Sequence, residues 1–458
     1  MIPEPVSCVT SMQGMTVRRK SRVSVVSKFR CWITMADKTW SLLLDAELFT
    51  PISSPGFASS WQSRLFSPGA MVFDENGIIA VGEQAAIEEK WPRSQAAQVI
   101  SAAGRLVTPG FVDCHTHPVF HNLRAHEFTM RIQGATYVDI SKAGGGIRYS
   151  VRDLQQASEE QLLHVLLPRL DRFIANGTTT IEAKSGYGLS VEAELKSLRV
   201  LQRAAEQHPV DIVPTFLGAH EVPDAYRGRR QAYLDLVIEE MLPRVVEEGL
   251  ATFIDVFCED HVFTAAESRA VLEAGQKAGL AAKIHADQLH DNGGAAVAAD
   301  VGAVSADHLE HTPEHMDSRL LAAQVVPVML PGADFFLSSP IYGPARRMIE
   351  AGLPVALATD FNPGTCMSES MPMMLTLAGL QMRMTPEETL IAATLHSAMA
   401  ISAHDRVGSL ENGKQADFVI WDARSPAELP YHFGVQLVQS VYKKGRLAFQ
   451  ASAARQRT

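Results

Sequence analysis

This sequence predicts an α/β fold: a (β/α)8 TIM barrel with a small composite β-sandwich domain built from both chain ends. Three observations carry that expectation. Eight apolar, β-prone runs punctuate the middle of the chain, near 106–114, 178–183, 211–219, 252–258, 282–286, 301–306, 325–330 and 353–359. Helical stretches rich in Ala, Leu, Glu and Arg, such as 160–175, 192–207, 229–248 and 265–278, lie between most of them, as parallel βαβ units require. Histidine and aspartate stand at the ends of several runs, and the C-terminal ends of the strands are where such a barrel carries its active site.

Taken in order, residues 1–34 stand apart. No acidic residue lies between Glu4 and Asp37, while Arg18, Arg19, Lys20, Arg22, Lys28 and Arg30 are basic. Such a composition fits a targeting segment, but no apolar secretory stretch follows it. The favoured reading is a disordered extension, or a start placed upstream of a true beginning at Met35. Residues 35–107 hold short β-prone pieces at 40–44, 70–73, 77–81 and 98–100, separated by turns such as Asp74-Glu75-Asn76-Gly77. Residues 407–458 read similarly, with β-prone pieces at 417–421 and 441–446. Neither end makes a stable domain alone. Together they predict the composite β domain, which leaves 108–406 to the barrel.

Composition narrows the function classes. With 46% hydrophobic and 20% charged residues, the 458-residue chain can bury a large core. A net charge of −10 argues against nucleic acid as the main partner. No apolar stretch approaches the roughly 18 residues of a membrane helix, so a soluble protein with no membrane partner is expected. Five cysteines without a CxxC pair point to a reducing, cytoplasmic setting. The expected partner is a small-molecule substrate, with a homodimer left open.

His115-Thr116-His117 follows the first run, and residues two apart on a strand face the same way. Two imidazoles are thereby offered to one ion. His285 ends a fifth run, His308 a sixth and Asp360 the eighth. A lone histidine at a strand end is more often structural, and Asp360 before Phe361-Asn362-Pro363-Gly364 has the look of a turn former. Their recurrence at one barrel mouth favours a metal site. Two-metal barrels commonly bridge their ions with a modified lysine ending strand four. Here that strand ends Val256-Phe257-Cys258-Glu259, and Lys184 closes strand two instead, so one ion is expected.

The segments 104–117 and 407–418 resemble the signatures of the amidohydrolase superfamily. Gly144-Gly145-Gly146-Ile147, 182–189, 216–223 and 255–259 narrow the resemblance to the imidazolonepropionase family, over about residues 40–450. That resemblance implies hydrolysis of 4-imidazolone-5-propanoate to N-formimidoyl-L-glutamate, a step of histidine degradation. It implies one Zn2+ or Fe3+ ion held by His115, His117, His285 and Asp360. Substrate contacts carry over to Arg124, Tyr187 and His220, and product-side contacts to Asn362, Gly364 and Thr365. Some family members carry a glutamate, cast as a base, where this chain has Gln288, which can hydrogen-bond a ring but cannot take a proton.

Residue chemistry agrees with these roles. Arg124 can grip a propionate with paired hydrogen bonds, and the Tyr187 hydroxyl can join it or simply pack the loop. Asp360 can deprotonate water and return the proton to the departing nitrogen. His308 suits a hydrogen bond to the water or the developing oxyanion, and His220 suits polarising the carbonyl. The Gly144–Gly146 segment reads as a flexible loop or a lid. Two other readings compete. A ring deaminase would need no carboxylate clamp, and an inactive scaffold would have lost metal ligands that this chain keeps.

Overall fold

A computed structural model describes residues 39–53, 57, 61–135, 139 and 144–452, and Thr39–Thr458 form one compact unit. The expectations for residues 1–34 lie outside the described residues. Four strands open the chain: β1 (Ser41–Pro51), β2 (Ser63–Asp74), β3 (Gly77–Glu83) and β4 (Gln98–Pro109). Eight more follow: β5 (Phe111–Asp113), β6 (Thr178–Lys184), β7 (Asp211–Ala219), β8 (Phe253–Cys258), β9 (Ala281–Ala286), β10 (Ser305–His308), β11 (Val326–Met329) and β12 (Ala356–Leu357). The last three are β13 (Phe418–Trp421), β14 (Val438–Lys443) and β15 (Arg446–Gln450).

β5 to β12 lie side by side in chain order as one eight-stranded parallel sheet. The ring closes just past the strand ends. The Asp360 N–H donates to His115 O at 3.1 Å, and the His117 N–H donates to Phe361 O at 2.9 Å. Helices cover the outside, and two of those expected begin at capping boxes, Ser158 with Gln161 and Thr264 with Glu267. The remaining strands form one seven-stranded sheet in the order β15-β14-β13-β4-β1-β2-β3, so both ends of the chain meet in it.

Three apolar runs differ from their expected extents. The run at 106–114 is two strands in two sheets. Pro109 has no N–H for a ladder, and the Gly110 N–H turns away to donate to Asp417 O at 2.9 Å. A side chain at Gly110 would meet Thr179 Oγ1 at 2.3 Å, so only glycine lets the chain pass from one sheet to the other. The run at 301–306 starts as helix. Val301 ends Gly294–Val301, and Gly302 caps it with φ 62 before β10 begins at Ser305. The run at 353–359 keeps only Ala356–Leu357 as strand. Its continuation, 359–361, bonds instead to the His115–His117 segment.

Candidate metal centre and substrate cavity

The histidines that follow β5 and end β9 converge. His115 Nε2 lies 3.2 Å from His117 Nε2, which lies 3.4 Å from His285 Nε2. All three are fully or almost fully buried. Asp360 Oδ1 stands 3.6 Å from both His115 Nε2 and His117 Nε2. The strand periodicity explains the first pair, and barrel closure brings Asp360 to it.

Nitrogens packed this closely need a cation between them or a proton on one of them. The far side of two rings decides which. His115 Nδ1–H donates to Asp307 Oδ2 at 2.6 Å, and His285 Nδ1 lies 3.1 Å from Asp255 Oδ2. With Nδ1 carrying the proton, each Nε2 turns a lone pair to the common point. Burial, together with Lys184 and the neighbouring imidazoles, holds the His115 pKa well below the histidine value. Burial and the His220 and His285 rings do the same for His117. His117 Nδ1 is buried without a hydrogen-bond partner among the described residues. Neutral imidazoles with converging lone pairs are the donor set of a metal ion, and the residues fit one.

Beneath this floor lies a charged cluster. Lys184 Nζ, fully buried at the end of β6, lies 2.7 Å from Glu182 Oε1, 2.8 Å from Asp255 Oδ2 and 3.6 Å from Asp307 Oδ2. Burial opposes its charge, but the Asp255, Glu182 and Asp307 carboxylates outweigh that and raise its pKa above the lysine value. Removing one partner from a buried set of this kind costs about 3–5 kcal/mol.

Above the floor opens a cavity of about 530 Å³, lined by His117, His220, His285, His308 and Asp360 below and by Arg124, Tyr187, Gln288, Asn362, Gly364 and Thr365 around it. All the expected site residues except the deeper His115 therefore line one space. His308 reaches it through strained backbone: φ is 84 at His308 and 71 at Leu309, the left-handed region that non-glycine residues rarely occupy. Burial opposes a charge on His308, but Glu310, 3.4 Å from Nδ1, pushes its pKa up to about 9 with help from Asp360 and Asp334. Burial pushes Asp360 up to about 6. His220 Nδ1 lies 2.9 Å from Gly186 O, an acceptor, so Nδ1 carries the proton. Burial first, then His285, lowers the His220 pKa to about 3.

Around the rim, Arg124 Nη2 donates to Glu127 Oε2 at 2.7 Å, and the Gly146 N–H donates to Glu127 Oε1 at 2.8 Å. Arg124 Nε is buried without a partner among the described residues. A side chain at Gly364 would meet Arg124 Nη1 at 2.5 Å, so this glycine makes room for the guanidinium. Gly146, with φ 75 and ψ −164, takes a conformation essentially reserved for glycine. Asn362 accepts from the Gly364 and Thr365 N–H groups and donates to Asp360 O and Thr365 Oγ1, each within 2.8 Å. Its amide is thus committed to shaping the turn after Asp360.

Comparison with known proteins agrees with this geometry. The chain matches the Amidohydrolase family over residues 106–448. It is 47% identical to an imidazolonepropionase of Symbiobacterium thermophilum, over 90% of this chain and 97% of that one. It is 48% identical to an imidazolonepropionase of Geobacillus kaustophilus, over 82% and 89% of the two chains. The chain belongs to the imidazolonepropionase family. Among solved structures, a 5-methylcytosine deaminase from Klebsiella pneumoniae shares the fold, with a TM-score of 0.68 at 17% identity over 90% of this chain and 98% of that one.

Four groups at this site have no counterpart among the residues expected from sequence: Asp255, Asp307, Lys184 as part of the centre, and Glu127, all buried. A signal for three of them was present. Phe253-Ile254-Asp255-Val256-Phe257 sets one charge in an apolar strand, and Glu182, Lys184 and Asp307 lie in strands buried along their length. Charges in such places require partners. Glu127 carried no such mark, since it lies on an amphipathic helix, Ala125–Ile132.

Proposed function

We propose that this protein hydrolyses the cyclic amide C–N bond of 4-imidazolone-5-propanoate to give N-formimidoyl-L-glutamate, with one Zn2+ or Fe3+ ion held by His115, His117, His285 and Asp360. One observation supports this reading above others: a single cavity joins a floor of converging imidazole lone pairs to a rim holding a partly buried arginine whose Nε has no partner among the described residues. A ring hydrolase acting on an anionic substrate needs both. When bound, such an ion acidifies water near neutral pH and polarises an oxygen ligand.

The chain's own residues supply the rest. Arg124 takes the propionate carboxylate, oriented by Glu127, with the Tyr187 hydroxyl beside it. Asp360 accepts a proton from the attacking water, whose oxygen bonds to the ring carbonyl carbon. The same carboxyl then returns that proton to the ring nitrogen as the C–N bond breaks. His308, charged through Glu310, donates to the oxygen where negative charge develops. His220 has its proton committed to Gly186, so it turns a lone pair to the cavity. Accepting a ring N–H suits that lone pair better than polarising a carbonyl, which revises the expectation drawn from sequence. Gln288 orients the ring, and Gly364 and Thr365 offer backbone and hydroxyl contacts. The buried thiols Cys114, Cys258 and Cys366 suit a cytoplasmic setting.

Urocanase acting on urocanate generates the imidazolone in situ, and its absorbance can be followed with and without this protein. Rapid decay with N-formimidoylglutamate appearing is the expected result. Decay no faster than the spontaneous rate, from folded and metal-replete protein, would overturn the assignment.

A further inference from the structure

Lys184 stands at the centre of the charged cluster beneath the metal floor, and its contacts have a particular pattern. Its backbone N–H donates to Thr116 O at 2.9 Å, the carbonyl between His115 and His117. Its ammonium contacts Asp255, on β8, which orients His285, and approaches Asp307, on β10, which orients His115. In each aspartate a single oxygen, Oδ2, faces both the imidazole nitrogen and the ammonium, so the charge of Lys184 acts on the very atom that orients the ring. The second oxygen of Asp307 accepts from Ser305 Oγ at 2.6 Å. Without the ammonium, Glu182, Asp255 and Asp307 would face one another in a dry interior. Lys283 Nζ, 3.7 Å from Asp307, is the other lysine near the cluster, but Ser305 Oγ and Ala400 O hold it on the far side.

We infer that Lys184 is a positioning residue of the metal centre: from one point, its ammonium sets the two aspartates that aim His115 and His285 at the ion. A lysine suits this place better than arginine, because a compact ammonium can meet several carboxylates while a planar fork is built to pair with one. Groups that orient metal-binding histidines typically carry a 10–100-fold share of metal affinity. Lys184 acts one contact further out, on two such groups at once. The inference rests on the metal centre proposed above.

The test is a Zn2+ titration against a competing chelator, using the full chain. Wild-type protein must first bind Zn2+ tightly. If it binds neither Zn2+ nor, in a parallel titration, Fe3+, the metal reading itself fails and Lys184 is not at issue. Given wild-type binding, Lys184→Met is expected to weaken Zn2+ affinity by roughly 10–100-fold. At saturating Zn2+ its KM should stay at the wild-type value, since Lys184 does not line the substrate cavity. A structural role alone would lower Tm and leave Zn2+ affinity unchanged, and that result would overturn the inference. Glu182→Gln separates placement from net charge. It keeps Lys184 and both aspartates, so affinity should remain near wild type, and a loss equal to that of Lys184→Met would also count against the inference. Should Lys184→Met not fold, Lys184→Arg takes its place. There the Zn2+-induced rise in Tm should be smaller than in wild type, and an equal rise would contradict the assignment.

Discussion

The floor and the rim of the cavity are held in place by different means. On the floor, His115, His117 and His285 follow or end barrel strands and are at most 3% exposed. Two of the three rings are fixed from behind by buried aspartates. On the rim, Arg124, Gln288, Asn362 and Thr365 come from loops, and among the described residues Arg124 takes its position from one side-chain partner, Glu127, and the space left by Gly364. The floor is held from several sides, whereas the guanidinium on the rim rests on a single carboxylate among the described residues. A change on the floor should therefore abolish chemistry or ion binding, while a change on the rim should grade affinity for substrate.

The largest expected effect tests the floor. Asp360→Asn removes the proposed proton acceptor and should lower kcat by about 10²–10⁴-fold with folding retained, as read by steady-state kinetics and circular dichroism. Activity close to wild type would move the base elsewhere and dissolve the distinction between floor and rim. Next comes the rim. Arg124→Met should raise KM roughly 10- to 150-fold, the worth of a hydrogen bond to a charged group, while metal content stays unchanged. Equal KM values for the two proteins would remove the carboxylate clamp.

A smaller effect sharpens the boundary between the two regions. The Glu310 charge favours protonated His308, and that protonated form is the proposed donor. Activity that depends on it is present at lower pH and lost as pH rises through the His308 pKa. Glu310→Gln lowers that pKa, so the alkaline limb of the kcat profile should move to lower pH, and an unmoved limb would exclude His308 as the donor. The smallest effect belongs to Gln288→Glu. With Asp360 as the base, a carboxylate at 288 adds a redundant acceptor, and kcat should change by less than the 10² that a new general base contributes. A gain beyond that would make position 288 the base after all.

How much was legible in the sequence follows the same division. The metal-competent residues could be read because the βα alternation repeats and places strand ends together, so His115, His117, His285 and Asp360 fall at one mouth. Strand extents were less legible. Leu106 to Cys114 reads as one apolar run, and its change of sheet depends on one glycine packed against Thr179, a contact far away in the chain. The left-handed pair His308–Leu309 left no local sign, because neither residue is glycine and the tertiary structure imposes the strain. Lys184 closes the second barrel strand, as expected, but its role was not legible. The absence of a bridging lysine from strand four set it aside, and only the fold shows its strand burying it among three carboxylates. The His220 tautomer likewise depends on Gly186 O, which no spacing rule could reveal.

The central claim is that one ion on the floor and one anion clamp on the rim together make the hydrolase. The most direct measurement removes the metal with a chelator, then restores it in known amounts while imidazolone hydrolysis is followed. The account predicts that activity falls with the metal and returns in full at one ion per chain. Activity indifferent to metal removal, or restored only by two ions per chain, would contradict it.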